Sequence, residues 1–168
     1  MDNPLVLLET TAGDILLEIF PDRAPLSAAN FLRYVDEGFY RNTIFHRVIK
    51  GFMIQGGGLT LRLEEKPTRP PVPNEAANGL KNLRGSLALA RTADPHSAAA
   101  QFFINTVDNP ELDFRSPDPE GFGYCVFGRV ADGMDVVDKI EKSKVKATGE
   151  HGSLPADSVL IVDVGRFD

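Results

Sequence analysis

The hydrophobic residues of this chain come in short runs, each stopped by glycine, proline or asparagine, and that punctuation favours a β-rich fold. The first run, Leu5-Val6-Leu7-Leu8-Glu9-Thr10, is followed by Thr11-Ala12-Gly13 and then by Asp14-Ile15-Leu16-Leu17-Glu18-Ile19-Phe20. Two apolar stretches around a short Gly-containing connection predict a β-hairpin, with Glu9 and Glu18 giving each strand a partly wet face.

The pattern then changes period. Pro25 suits a first helical turn, where its missing N–H has no partner anyway. Ala28, Phe31, Leu32, Val35 and Phe39 form a core-facing stripe, and Gly38 supplies a left-handed end, which predicts a helix over 25–37. Further strands are expected at 43–49, 52–55, 86–90, 101–105, 124–130 and 159–164. Asp132 is placed to cap a second helix carrying Met134, Val137 and Ile140. Residues 58–82, rich in proline, asparagine and glycine, predict a long irregular loop. Many short strands and two helices point to a barrel or sandwich capped by helices. A length of 168 residues, with 42% hydrophobic and 25% charged, predicts a single domain over 1–168.

Composition removes several function classes. With Cys125 as the only cysteine, no intrachain disulfide and no thiolate-rich zinc site is expected. The start has no basic leader, and no apolar run approaches the ~20 residues of a membrane helix, so a soluble cytoplasmic protein is expected. A net charge of −6 argues against nucleic acid as a partner. There is no phosphate-loop motif and no nucleophile elbow. His46, His96 and His151 are scattered without metal-ligand spacing, and no metal is expected. Cys125, between Tyr124 and Val126, reads as a small core residue. Glu64-Glu65 and Asp118/Glu120 read as solvated loop acids.

What remains is the stretch from Phe45-His46-Arg47 to Gln55-Gly56-Gly57. Strand alternation puts Phe45, Arg47 and Ile49 on one face and Met53 and Gln55 on a face of the next strand, with His46 turned the other way. An arginine among large apolar side chains is paired with a carboxylate, peripheral or functional, because burying a lone guanidinium costs several kcal/mol. Phe52, Met53 and Phe103, taken singly, read as core. A hydrolase built on His46 and a nearby acid lacks any nucleophile motif.

FHRVIKGFMIQGGG, followed by NEAANGLKNLRGSLALART, PHSAAAQFFINTVDN and GYCVFGRVADGMDVVDKI, resembles the cyclophilins, and among them the short bacterial cytoplasmic type. The resemblance spans residues 5–164. It implies a closed eight-stranded antiparallel β-barrel capped by two α-helices and peptidyl-prolyl cis-trans isomerase activity without a cofactor. By motif, Arg47 and Gln55 are the expected catalytic residues, Arg47 as the donor and Gln55 as a hydrogen-bonding group for the substrate backbone. Phe52, Met53, Ala88, Gln101, Phe103, Leu112 and Tyr124 are expected to bind substrate, with Phe103 as the floor of a proline pocket. The implied partners are proline-containing peptides and unfolded or folding proteins, met by a monomer; a proline-binding, chaperone-like module is the alternative. The chain departs from the pattern at Leu89, where many members carry a substrate-contacting asparagine, and at Tyr124, where eukaryotic members carry histidine. It has no tryptophan. Glu111 stands where tight cyclosporin binders have one, which implies weak or no cyclosporin binding.

Overall fold

A computed structural model describes residues 2–167, so Met1 and Asp168, the ends of the predicted domain, lie outside the described residues. The predicted hairpin forms as β1 (Leu5–Thr10) and β2 (Gly13–Ile19), with Leu8 opposite Ile15 and Val6 opposite Leu17. These four are fully buried and start the core. Helix α1 (Pro25–Asp36) begins at Pro25 as expected, and the chain leaves it through Gly38 at φ 71°. Phe31 from α1 meets Tyr40, Phe102 and Phe127 at ring distances of 5.1–5.6 Å, an aromatic cluster that plugs one end of the sheet. Helix α2 (Met134–Glu141) packs Val137 and Ile140 into the same core. Its N-terminal boundary is Gly133 at φ 103°; Asp132, the expected cap, is instead the last residue of β8 (Val126–Asp132), opposite Leu16.

The remaining strands are β3 (Thr43–Ile44), β4 (Arg47–Ile49), β5 (Met53–Gly56), β6 (Ser86–Leu89), β7 (Phe102–Asn105) and β11 (Leu160–Arg166). Nine strands form one sheet in the order β3-β11-β1-β2-β8-β6-β7-β5-β4, all pairs antiparallel. The expectation of a closed eight-stranded barrel is thereby corrected to an open half-barrel whose edges are β3 and β4. The reason lies in the segment 43–49, which pattern reads as one strand. It breaks at Phe45-His46, so its first half pairs with β11 and its second with β5. Successive halves of one strand cannot pair with each other, so the gap is bridged by the chain and not by a ladder. The free side of β3 is covered by Leu59, whose carbonyl accepts from the Ile44 N–H at 3.0 Å. Gly56 permits the approach, since a Cβ there would sit 2.7 Å from the Ile44 carbonyl oxygen.

A second, two-stranded sheet was not predicted: β9 (Val145–Thr148) and β10 (His151–Pro155). Its sequence has no apolar alternation, and β9 is mostly exposed. The hairpin packs on β4, where the His151 ring meets His46 edge-on at 6.0 Å. His46 is 7% exposed, and among the described residues its Nδ1 has no hydrogen-bond partner. Burial, then the neighbouring His151 and Arg47, push its pKa from 6.5 down to about 4. The folded state therefore refuses a proton that the unfolded chain accepts below 6.5. Stability contributed by neutral His46 is full above that value and is lost as pH falls toward about 4, by up to ~3 kcal/mol. Urea unfolding at about pH 7.5 and about pH 4.5 should show this loss, and His46→Phe should remove most of it; an equal loss in the variant would refute the assignment.

Candidate active site

The register of the sheet assembles the site. Val126 on β8 lies opposite Ala88 on β6, Ala88 opposite Phe103 on β7, Phe103 opposite Gln55 on β5, and Gln55 opposite Arg47 on β4. One row of side chains thus crosses five strands on one face. The next row carries Met53 opposite Ile49. Met53, Ala88, Phe103 and Val126 form an apolar cluster separate from the main core, rimmed by Ile49, Phe52, Leu80, Ala90, Leu112 and Tyr124. Over it lies a cleft of about 130 Å³ lined by Arg47, Phe52, Met53, Gln55, Ala90, Arg91, Phe103, Leu112 and Tyr124.

Seven of the nine residues singled out from sequence line this cleft. Ala88 does not: it is fully buried beneath the surface that Phe103 presents. Ala90, two residues on and therefore on the same face, reaches the cleft instead. Gln101 lines the adjoining polar recess, which also contains Gln55, Ala90 and Arg91. It lies against Gly58, where a Cβ would come within 2.5 Å of its Cγ. Leu89 points away from the cleft, 2% exposed within the main core. Arg91 was missed because it lies just past the buried strand β6 and opens a polar connection.

Arg47 is exposed, and its partner is an amide: its Nη1 donates to Gln55 Oε1 at 3.3 Å, and among the described residues it makes no ion pair. Gln55 Nε2 in turn donates to Gln101 Oε1 at 2.9 Å, which fixes the Gln55 amide with its oxygen toward the arginine. Tyr124 stands edge-on to Phe103 at 5.6 Å, and the Arg91 guanidinium stacks over the Tyr124 ring at 4.3 Å. The guanidinium of Arg91 is held by the Gly123 carbonyl, which accepts from Nε at 3.0 Å, and the Thr92 carbonyl, which accepts from Nη1 at 2.8 Å.

The walls are tied down by buried amides that no sequence signal marked. Asn105, fully buried at the end of β7, donates to Asn82 Oδ1 at 3.0 Å and to Ser86 Oγ at 2.8 Å, and accepts from Asn109 Nδ2 at 2.8 Å. Asn109 also donates to the Phe52 carbonyl, and Asn82 to the Leu112 carbonyl. Both cleft walls are therefore tied to one network, alongside the backbone bonds that the Phe52 and Leu112 carbonyls accept from the Thr106 and Tyr124 N–H groups.

Other candidate groups lie elsewhere. The Cys125 thiol is 3% exposed, 3.3 Å from Ser27 Oγ, and burial raises its pKa to about 11, so it is an inert core thiol. His46 faces the β9–β10 hairpin. The fold brings it close to His151, but among the described residues no group of three or more metal-ligating side chains forms. Glu64, Glu65, Asp118 and Glu120 are exposed. No described helix is long and apolar enough to cross a membrane.

The cleft thus sets an exposed cationic donor beside an oriented amide over an apolar floor. Residues 5–166 match the family described as cyclophilin type peptidyl-prolyl cis-trans isomerase/CLD. Peptidyl-prolyl cis-trans isomerase B of Escherichia coli (strain K12) is 55% identical over 160 residues, 95% of this chain and 98% of that protein. Peptidyl-prolyl cis-trans isomerase cyp18 of Streptomyces antibioticus is 52% identical over 93% of this chain and 94% of its own. A crystal structure of a Cryptosporidium parvum cyclophilin type peptidyl-prolyl cis-trans isomerase in the presence of the dipeptide Ala-Pro superposes with a TM-score of 0.79. It is 30% identical, and the match covers 98% of this chain and 99% of that one. The chain belongs to the cyclophilin-type peptidyl-prolyl cis-trans isomerases, and its activity is the cis-trans isomerisation of prolyl peptide bonds.

Removing the centre of the amide network leaves buried partners unpaired. Asn105→Ala should cost about 3 kcal/mol of stability. It should also raise KM for a proline peptide by releasing Phe52 and Leu112. Denaturant unfolding and steady-state kinetics check both effects; a loss below ~1 kcal/mol with KM unchanged would break the link.

Proposed function

We propose that Arg47 is the catalytic donor and that Phe52, Met53, Phe103, Leu112 and Tyr124 grip the proline ring while the acyl side turns. The observation that carries this reading is the single row from Phe103 through Gln55 to Arg47, which puts an apolar floor, an amide and a cation side by side. Rotation about X-Pro is blocked by amide resonance, with a barrier of roughly 18–20 kcal/mol. Twisting the bond localises the lone pair on the proline nitrogen. A donor there bonds better to the twisted state than to the planar one, and only such a difference accelerates the step. Each ~1.4 kcal/mol of it gives a tenfold acceleration, without covalent attack, metal or cofactor.

Gln55 positions the guanidinium and offers its amide to the substrate backbone. The substrates are proline-containing peptides and folding proteins, met by a monomer in the cytoplasm; the lone buried thiol suits a reducing compartment. The acidic net charge disfavours nucleic acid as a partner. A purely proline-binding module has less support, because binding a ring does not require Arg47.

In a protease-coupled assay, Arg47→Ala should lower kcat about 100-fold while KM stays within about threefold. Phe103→Ala should impair both. An arginine variant with unchanged kcat would overturn the assignment.

Glu111 is exposed beside the cleft wall Leu112, so the position offers a large hydrophobic ligand a carboxylate and no aromatic surface. Cyclosporin should inhibit weakly. Glu111→Trp should tighten it by about tenfold, as a rigid aromatic anchor does at an interface. Half-inhibition of the wild type at nanomolar drug would refute this.

A further inference from the structure

The isomerisation step uses one guanidinium, yet the cleft holds two. Arg91 lines it opposite no acid: Arg47 and Arg91 are its only charged lining residues, with no Asp or Glu among them. The adjoining recess, which Arg91 also lines, adds Glu65 and Lys66 as further charged residues, the Lys66 Nζ being bonded to the Phe39 carbonyl and lying over the Phe39 ring. The Nε and Nη1 of Arg91 are committed to the Gly123 and Thr92 carbonyls, while its Nη2 makes no hydrogen bond among the described residues. The ring of Tyr124 beneath and the two carbonyls behind hold the guanidinium in place. A fixed fork of this kind binds a planar anion with little further ordering cost.

We propose that Arg91 is a specificity-determining residue that selects peptides carrying a carboxylate side chain next to the proline. The proposal rests on the reading of this cleft as the prolyl site, and gives it a substrate class. It also runs against the protein's net charge of −6, whose long-range field repels an acidic peptide. The selection is therefore local and short-ranged, made by Arg91 in contact.

The test is a set of otherwise identical proline peptides carrying Glu, Gln or Lys immediately before or immediately after proline. kcat/KM is measured for the wild type, Arg91→Gln and Arg91→Lys. At one of the two positions the wild type should prefer Glu over Gln by about three- to fivefold, the range of a partly exposed ion pair, and Lys should be the poorest. Raising salt to about 1 M, where screening acts within about 3 Å, should shrink that ratio toward unity. Arg91→Gln should abolish the ratio, and Arg91→Lys should keep part of it. A wild-type ratio near unity at both positions overturns the proposal. So does a ratio that survives in Arg91→Gln, which would place the selection on Arg47. Turnover of the Gln peptides by the wild type tests the prolyl reading separately, so a failure of the charge selection is not mistaken for a failure of the site.

Discussion

Asn105 sits where three parts of the chain meet, and its hydrogen bonds tie Asn82, Ser86 and Asn109 together beneath the cleft walls. Phe52 lies in a turn between two edge-region strands, and Leu112 in a short 3₁₀ turn (Pro110–Leu112) far along the chain. Neither is held by the main core. Both are reached through side-chain amides whose centre is fully buried, so every donor and acceptor there must be matched or the desolvation cost falls on the fold. The network converts a pair of loops into rigid walls, and that rigidity gives the apolar grip a defined width.

The sheet supplies what the amides cannot. Pleat alternation sends His46 down under the β9–β10 hairpin, where it is neutral and buried, and sends Arg47 up into solvent beside Gln55. Had the register slipped by one residue, the guanidinium would face the hairpin and the imidazole the cleft. The pairing of β4 with β5 prevents that slip, since Val48 and Ile54 lie opposite each other and both are buried on the core face. Core burial thereby fixes the chemistry on the opposite face.

The parts of this arrangement that were legible in the sequence are those with a period or a strong local signal. The β1–β2 hairpin, the start of α1 at Pro25 and the face shared by Arg47 and Ile49 and by Met53 and Gln55 follow from alternation and turn chemistry; Phe45, read onto the Arg47 face, is instead buried in the main core because the strand breaks at Phe45-His46. The family resemblance added the grouping of Phe103, Leu112 and Tyr124. The rest depends on long-range pairing. The split of segment 43–49 between two edges, which leaves the sheet open, has no signature in a run of apolar residues. The β9–β10 hairpin is held by docking on β4 and not by its own pattern. Asn82, Asn105 and Asn109 read as loop or strand-end polar residues until the fold buries them together. Ala88 and Ala90 are indistinguishable by composition; only the pairing of Ala88 with Phe103 shows which lies beneath the surface.

Leu89, the last residue of β6, and Arg91, just beyond it, serve different ends. Leu89 turns inward and contributes packing to the main core. Arg91 lies two residues further along the chain and returns over the rim by stacking on Tyr124, a ring that itself stands on Phe103. The stack from Phe103 to Tyr124 to Arg91 carries the apolar floor up to a charged edge without an intervening polar residue. The rim of the cleft is therefore cationic on two sides while the protein as a whole is acidic. The local potential in the cleft is dominated by these two guanidinium groups and falls away within about a Debye length, roughly 8 Å at physiological salt.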